Sequence, residues 1–234
     1  TEMPLKAALG GTDRERNATV ARLRKYFGRI TYQTKDLKIE GVHLAPMGLS
    51  WGYMIALMHD LHDVHQSPQL KSRLFRRIVE DALRTNLSAK TRGVLATRSK
   101  VAYWLDSPRF ASRALKHVRE RPWDPILPIV TNSSVRAILE TYNSRKKLRW
   151  WVQTPDAAAA GVEFRSLPVQ EWWRELPTYR FLLNPMGTAI QTAKTYEALL
   201  VLTIPVIVHC GYTAFYELIR MGFPLVLISA WTDV

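Results

Sequence analysis

Cysteine is nearly absent: Cys210 stands alone among 234 residues. No internal disulfide can form, so a secreted, disulfide-stapled scaffold is excluded and a reducing compartment is favoured. Long apolar runs are missing too. The longest, "ALLVLTIPVIV", reaches about half of the roughly 20 residues that a membrane-spanning helix needs, and it contains a proline. Internal repeats and low-complexity tracts are absent; "DAAAAG" at 156–161 is a short loop or frayed helix rather than a linker. None of the standard DNA-reading or RNA-reading signatures occurs. Acidic residues are scarce in one part only: residues 1–150 hold 28 Lys/Arg against 13 Asp/Glu, whereas residues 151–234 hold 5 against 7. The formal net charge of +13 therefore belongs to the first part. Such an asymmetry favours an anionic partner, whether nucleic acid, acidic protein or membrane surface. The chain begins with Thr1, as a processed or trimmed product would.

What is present is a helical, arginine-rich first part followed by alternating elements. Residues 12–27 predict a helix with Thr12 as N-cap, Glu15 three places on, and Val20, Leu23 and Phe27 sharing a face. "RITYQT" is β-like, and "PMGLSWG" at 46–52 is a turn. Helices are expected over 53–65, 71–85, 89–105, 109–119 and 133–147; in 71–85 the pairs Leu74/Phe75, Ile78/Val79 and Ala82/Leu83 recur at helical spacing. From residue 126 the pattern becomes short apolar runs separated by helices: "ILPIV", "RWWVQT", "YRFLLN", "IPVIV" and "PLVLI" as strands, with helices around "VQEWWREL" and "AFYELIR". Strands with few polar residues, alternating with helices, indicate a parallel sheet covered on both faces. The expected division is a basic, mainly helical portion over 1–122 and an α/β portion over 123–234.

The stretch from "LPTYRFLLNPMG" through "AKTYEALLVLTIPVIV" to "FPLVLISAWTDV" resembles the donor-binding half of exostosin-like glycosyltransferases of GT-B architecture. Arg180, Phe181, Leu183, Pro185, Gly187, Lys194, Tyr196, Glu197, Ala198, Leu199, Ile204, Pro205, Val206 and Trp231 fit that family's pattern over about 176–234. "VHLAPMGLSWG" and "TNLSAKTRGVL" resemble the segments that precede it. The resemblance implies a Rossmann-like, doubly wound α/β domain. It also implies a nucleotide-sugar site of Gly187, Thr188, Lys194, Thr195 and Glu197, with Lys194 near the phosphates and Glu197 accepting from the ribose hydroxyls. Three departures fall inside that site: Ala189 replaces the second glycine, Gln191 the aspartate, and Ala193 a polar residue. The length is also short for two Rossmann-like lobes. No carboxylate in 1–150 marks itself as a catalytic base, so no catalytic residue is assigned.

Other signals favour structural roles. His59, His62 and His65 in "HDLHDVH" drift off one helical face, which suits a solvated helix end better than zinc, and no metal is expected. His209 and Cys210 are adjacent on a strand and face opposite ways, so a buried thiol is expected rather than a nucleophile. In each of Trp150–Trp151 and Trp172–Trp173, at least one indole should pack in the core. The basic sets Arg22, Arg24, Lys25; Arg73, Arg76, Arg77; and Arg145, Lys146, Lys147, Arg149 are candidates for contacts to RNA phosphates.

The expectation is thus a repurposed glycosyltransferase-like domain that docks on structured RNA or on neighbouring proteins of a large assembly, such as an organellar ribosome, with no cofactor. The matrix of an organelle, the mitochondrion first, would be its setting. Two alternatives follow from the same residues. One is an active transferase of the Golgi lumen using a UDP- or GDP-sugar donor. The other is a structural subunit of an organellar membrane complex.

Overall fold

The structure is a computed structural model, and it describes residues 5–49, 68–84, 90–98, 143–187, 190–209 and 211–234. The N-terminal part opens with helix α1, Leu5–Leu9, and helix α2, Asp13–Leu23. The start of α2 is fixed as its sequence predicts: the Glu15 amide donates to Thr12 Oγ1 at 3.3 Å, and Glu15 Oε2 accepts from the Thr12 amide at 2.6 Å. That reciprocal capping satisfies two backbone donors that a helix start leaves unpaired. Strands β1, Ile30–Tyr32, and β2, Val42–Leu44, pair in parallel. Leu5, Val20, Ile39 and Val42 form a small core beneath them.

Helix α3, Pro68–Arg84, follows the predicted apolar pairs, with Ile78 and Ala82 buried. Strand β3, Arg92–Thr97, corrects the helix expected over 89–105. Its run Val94-Leu95-Ala96-Thr97 lies between two parallel neighbours, where burial on both faces outweighs local helix propensity. The remaining elements are helix α4 over 143–151, helix α5 Pro155–Ala159, strand β4 Val162–Arg165, helix α6 Val169–Glu175, strand β5 Tyr179–Leu183, helix α7 Ala193–Leu200, strand β6 Ile204–Val208, helix α8 Thr213–Arg220 and strand β7 Val226–Ile228. A second correction concerns "RWWVQT": residues 149–151 are the last turn of α4, not a strand. The predicted strands "YRFLLN", "IPVIV" and "PLVLI" are present. "ILPIV" and the helices expected over 53–65 and 109–119 lie outside the described residues, as does 133–142.

The fold is mixed α/β and Rossmann-like. Five strands form one parallel sheet in the order β4-β3-β5-β6-β7. Counted within the sheet this is 2-1-3-4-5, a doubly wound order. Because β3 lies upstream of 123, the sheet draws on both of the expected portions. The side chains alternate as a two-faced sheet demands. Leu95, Leu182, Ile207 and Leu227 face α3, α6, α7 and α8, while Ala96, Leu183, Val206 and Ile228 face α4, α5 and Trp231. Only the β3-to-β4 connection runs opposite to the others, so right-handed crossover puts α4 and α5, among the described helices, on the far face. The crevice between β3 and β5 at their carboxyl ends is the switch point, where sheets of this kind hold ligands.

Two ties hold the assembly together. Lys90, 1% exposed, enters β3 and donates from Nζ to the carbonyls of Pro177, Tyr179 and Val201 at 2.7, 3.0 and 3.1 Å, with Thr203 Oγ1 at 3.2 Å. The N-terminal part is attached through Leu44, which joins Ile207, Phe215 and Leu218 in a common core, and through an ion pair between Lys35 and Glu217. Among the described residues no helix is long and apolar enough to cross a membrane.

Candidate functional site

Strand β5 ends at Leu183, and its neighbour Asn184 is held by a 2.9 Å bond from its amide to the Val206 carbonyl. The chain then runs to α7, whose Lys194 and Glu197 are one helical turn apart and so share a face. That face meets Trp172 of α6. The Trp172 indole Nε1 donates to Glu197 Oε2 at 2.9 Å, and Lys194 Nζ sits 5.2 Å from the centre of the same ring. An ammonium over an indole face at that separation is within cation–π range. Lys194 Nζ also donates to Thr97 Oγ1, at the carboxyl end of β3, at 2.8 Å. One lysine thereby bridges α7 to β3 across the switch point.

Burial sets the charge states of this group. Glu197 is 2% exposed, and its carboxyl is pushed above the usual carboxylate range by desolvation, with Lys194 and the Trp172 N–H pulling the other way. Its second oxygen, Oε1, has no hydrogen-bond partner among the described residues. Burial lowers Lys194 to about 8, opposed by Glu197 and assisted by Arg145. Thr195 is turned into the core, where its hydroxyl accepts from Asn184 Nδ2 at 2.6 Å, and Thr192 Oγ1 donates to Asn184 Oδ1 at 3.0 Å.

Gln191, which stands where the resembled family has its aspartate, is 2% exposed and uses every hydrogen-bonding position of its amide. Nε2 donates to the carbonyls of Gln33 and of Ala45, the latter at 3.1 Å; Oε1 accepts from the Met47 amide at 3.1 Å and from the Tyr196 hydroxyl. The side chain is a tie between the helix start and the N-terminal segment 33–47. A carboxylate cannot do this, since it has no proton to give two carbonyls.

At the same edge, Thr97, Arg98, Arg145, Leu148, Arg149, Phe164 and Pro185 line a crevice. The first described turn of α4 is pinned to the loop after β5: Arg145 Nε donates to the Met186 carbonyl at 3.0 Å, and the Met186 amide donates to Ser144 Oγ at 3.2 Å. Arg98 and Arg149 face no carboxylate among the described residues. The outer face of α4 carries Lys146, Lys147 and Trp150.

Of the predicted sugar-nucleotide residues, then, Lys194 and Glu197 are brought together, but around Trp172. Thr195 faces away into the core, Gly187 is buried, and Thr188 and Ala189 lie outside the described residues. Arg22, Arg24, Lys25, Arg73, Arg76, Arg77, Lys146, Lys147 and Arg149 are exposed, and Arg145 is half-buried. Arg77 is 4.0 Å from Asp81, an exposed pair of little energetic weight. Trp151, Trp172 and Trp173 are buried while Trp150 is exposed, so each tryptophan pair contributes at least one core residue, as expected. His59, His62, His65 and Cys210 lie outside the described residues; among those described, no cluster of His, Cys, Asp and Glu could hold a metal. His209 stacks edge-on against Tyr216 at 5.2 Å. Thr97 and Arg98 were hidden from sequence reasoning by the helix expected there; their only signal is the β-branched, small-residue run that ends in them. Searched against models of known families and against curated proteins, the chain matches none.

Proposed function

We propose that this chain is a glycosyltransferase-like α/β domain that no longer transfers sugar and serves as a structural, RNA-docking subunit of a large assembly, an organellar ribosome foremost. The observation that carries the reading is Trp172: its ring lies against both Lys194 and Glu197, the two side chains that the resemblance assigns to the donor. Gln191 adds support, because the position of the expected acidic residue has become a structural tie. The exposed arginines and lysines of α2, α3 and α4 supply the polyanion-facing surface, and contacts of this kind need no sequence-reading motif.

The test pairs two titrations on the same preparation. Calorimetry with UDP- and GDP-sugars should be silent, and structured RNA should bind with an affinity that falls steeply as salt is raised. Saturable nucleotide-sugar binding that disappears in Glu197→Ala overturns the proposal.

One observation favours the transferase reading instead. Glu197 Oε1 is buried without a partner among the described residues, and the neighbouring crevice at the switch point is lined by three arginines. A nucleotide sugar could satisfy both, and the same calorimetry decides between the readings.

A further inference from the structure

The C-terminal half of α4 presents an aromatic ring and a set of cations to solvent together. Leu148 and Trp151 anchor the helix to the sheet, which turns Trp150 outward; its side chain is 74% exposed. Lys146 and Lys147 stand four and three residues before it, so they occupy the adjoining turn on the same face. Arg149 lies beside it, toward Arg98 in the crevice at the carboxyl edge of the sheet. Leaving an indole in water is unfavourable in proportion to its apolar area. Among the described tryptophans, Trp151, Trp172, Trp173 and Trp231 are all buried. Trp150 is the exception.

We infer that this face is a base-stacking site for an unpaired segment of RNA, with Trp150 as the platform and Lys147, Arg149 and Arg98 receiving the flanking phosphates. The inference rests on the RNA-docking reading and narrows it from duplex or structured RNA in general to single-stranded RNA. The chemistry is complementary on both counts. Every base has a π-face that an exposed indole can stack on, whereas a paired base hides that face inside the helix. The surrounding cations attract phosphate, and among the described residues no carboxylate neutralises Lys147, Arg149 or Arg98. The same pairing recurs after α2, where Tyr26 and Phe27 are 78% and 55% exposed beside Arg22, Arg24 and Lys25. Two basic faces bearing exposed rings suit a strand that is held by stacking as well as by charge.

The experiment measures binding of the full chain to a short single-stranded oligoribonucleotide of mixed sequence and to the corresponding duplex, by fluorescence anisotropy over a salt series. Trp150→Ala should weaken the single strand about tenfold, some 1.4 kcal/mol. Trp150→Phe should recover most of that loss, and duplex binding should be unchanged. Arg149→Gln should instead lower the salt slope by about 0.7. Because Trp150 is outside the core, the variants should melt with wild-type Tm. Single-strand binding unaffected by Trp150→Ala overturns the stacking site and leaves the RNA-docking reading standing. No RNA binding by the wild type overturns both, and a Trp150-dependent affinity for anionic phosphatidylserine vesicles in that case assigns the face to a membrane surface.

Discussion

Gln191→Glu changes one nitrogen to oxygen and restores an acidic group at the position where the resembled family carries one. In this fold it should be costly. The wild-type amide donates twice, to Gln33 O and Ala45 O, and both bonds are lost when the introduced group is ionised. Leaving a buried acceptor unsatisfied costs about 1–3 kcal/mol, and the charge is buried where the donors to it, among the described residues, are one N–H and one hydroxyl rather than a cation. We expect a loss of about 4 kcal/mol at pH 7. The sign with pH follows. Desolvation and two opposing carbonyls raise the carboxyl's folded-state value above its ordinary one, so the folded variant binds more protons over that interval. The deficit is therefore smallest at low pH, where the protonated group can donate one bond again, and it grows as pH rises through the raised value. Urea unfolding of wild type, Gln191→Glu and Gln191→Met at about pH 5 and pH 7 reads this directly. Limited proteolysis should also cut Gln191→Glu faster between Lys35 and Met47. A Gln191→Glu variant within about 1 kcal/mol of wild type at pH 7 would refute the claim that this side chain ties the two parts together.

Three further outcomes are expected. Glu197→Gln keeps an acceptor for Trp172 Nε1 and removes a carboxyl whose folded-state value burial raises. It should therefore remove a fall in stability that wild type shows as pH rises above the ordinary glutamate range; an unchanged pH slope in the variant contradicts the assignment. Burial lowers Lys90 from 10.5 to about 8, so the unfolded chain holds more protons between those values and wild-type stability should rise with pH there, by at most about 3 kcal/mol from this residue. Lys90→Met should lose that share of the rise while orphaning the Pro177 and Val201 carbonyls; an unchanged pH slope in a denaturation series argues against the buried ammonium. Glu163→Gln should weaken the edge network in which Arg92 and Tyr179 donate to that carboxylate, costing about 1 kcal/mol, and no change in midpoint shows the network to be energetically idle.

The C-terminal strands were legible because each is a short apolar run bounded by turn residues, and the resemblance placed α7 between two of them. Strand β4 escaped notice: "VEFR" alternates charge with apolar residues because it is an edge, and Glu163 and Arg165 belong to a surface ion network with Arg92 and Glu175. Strand β3 was misread as helix for the opposite reason, as its burial comes from neighbours more than sixty residues away in sequence, Val162 and Phe181. The site shows the same limit. Lys194 and Glu197 could be named through the resemblance, but the ring that lies against them comes from another helix, and nothing local to α7 announces it. Gln191 reads as a lost charge in sequence and as a gained four-bond tie in space.

The most direct test of the account is where the native protein sediments on a density gradient before and after ribonuclease treatment. Migration with a large particle, released to the top of the gradient when RNA is digested, is the predicted result. A protein that stays at the top under both conditions and binds a UDP- or GDP-sugar would contradict it.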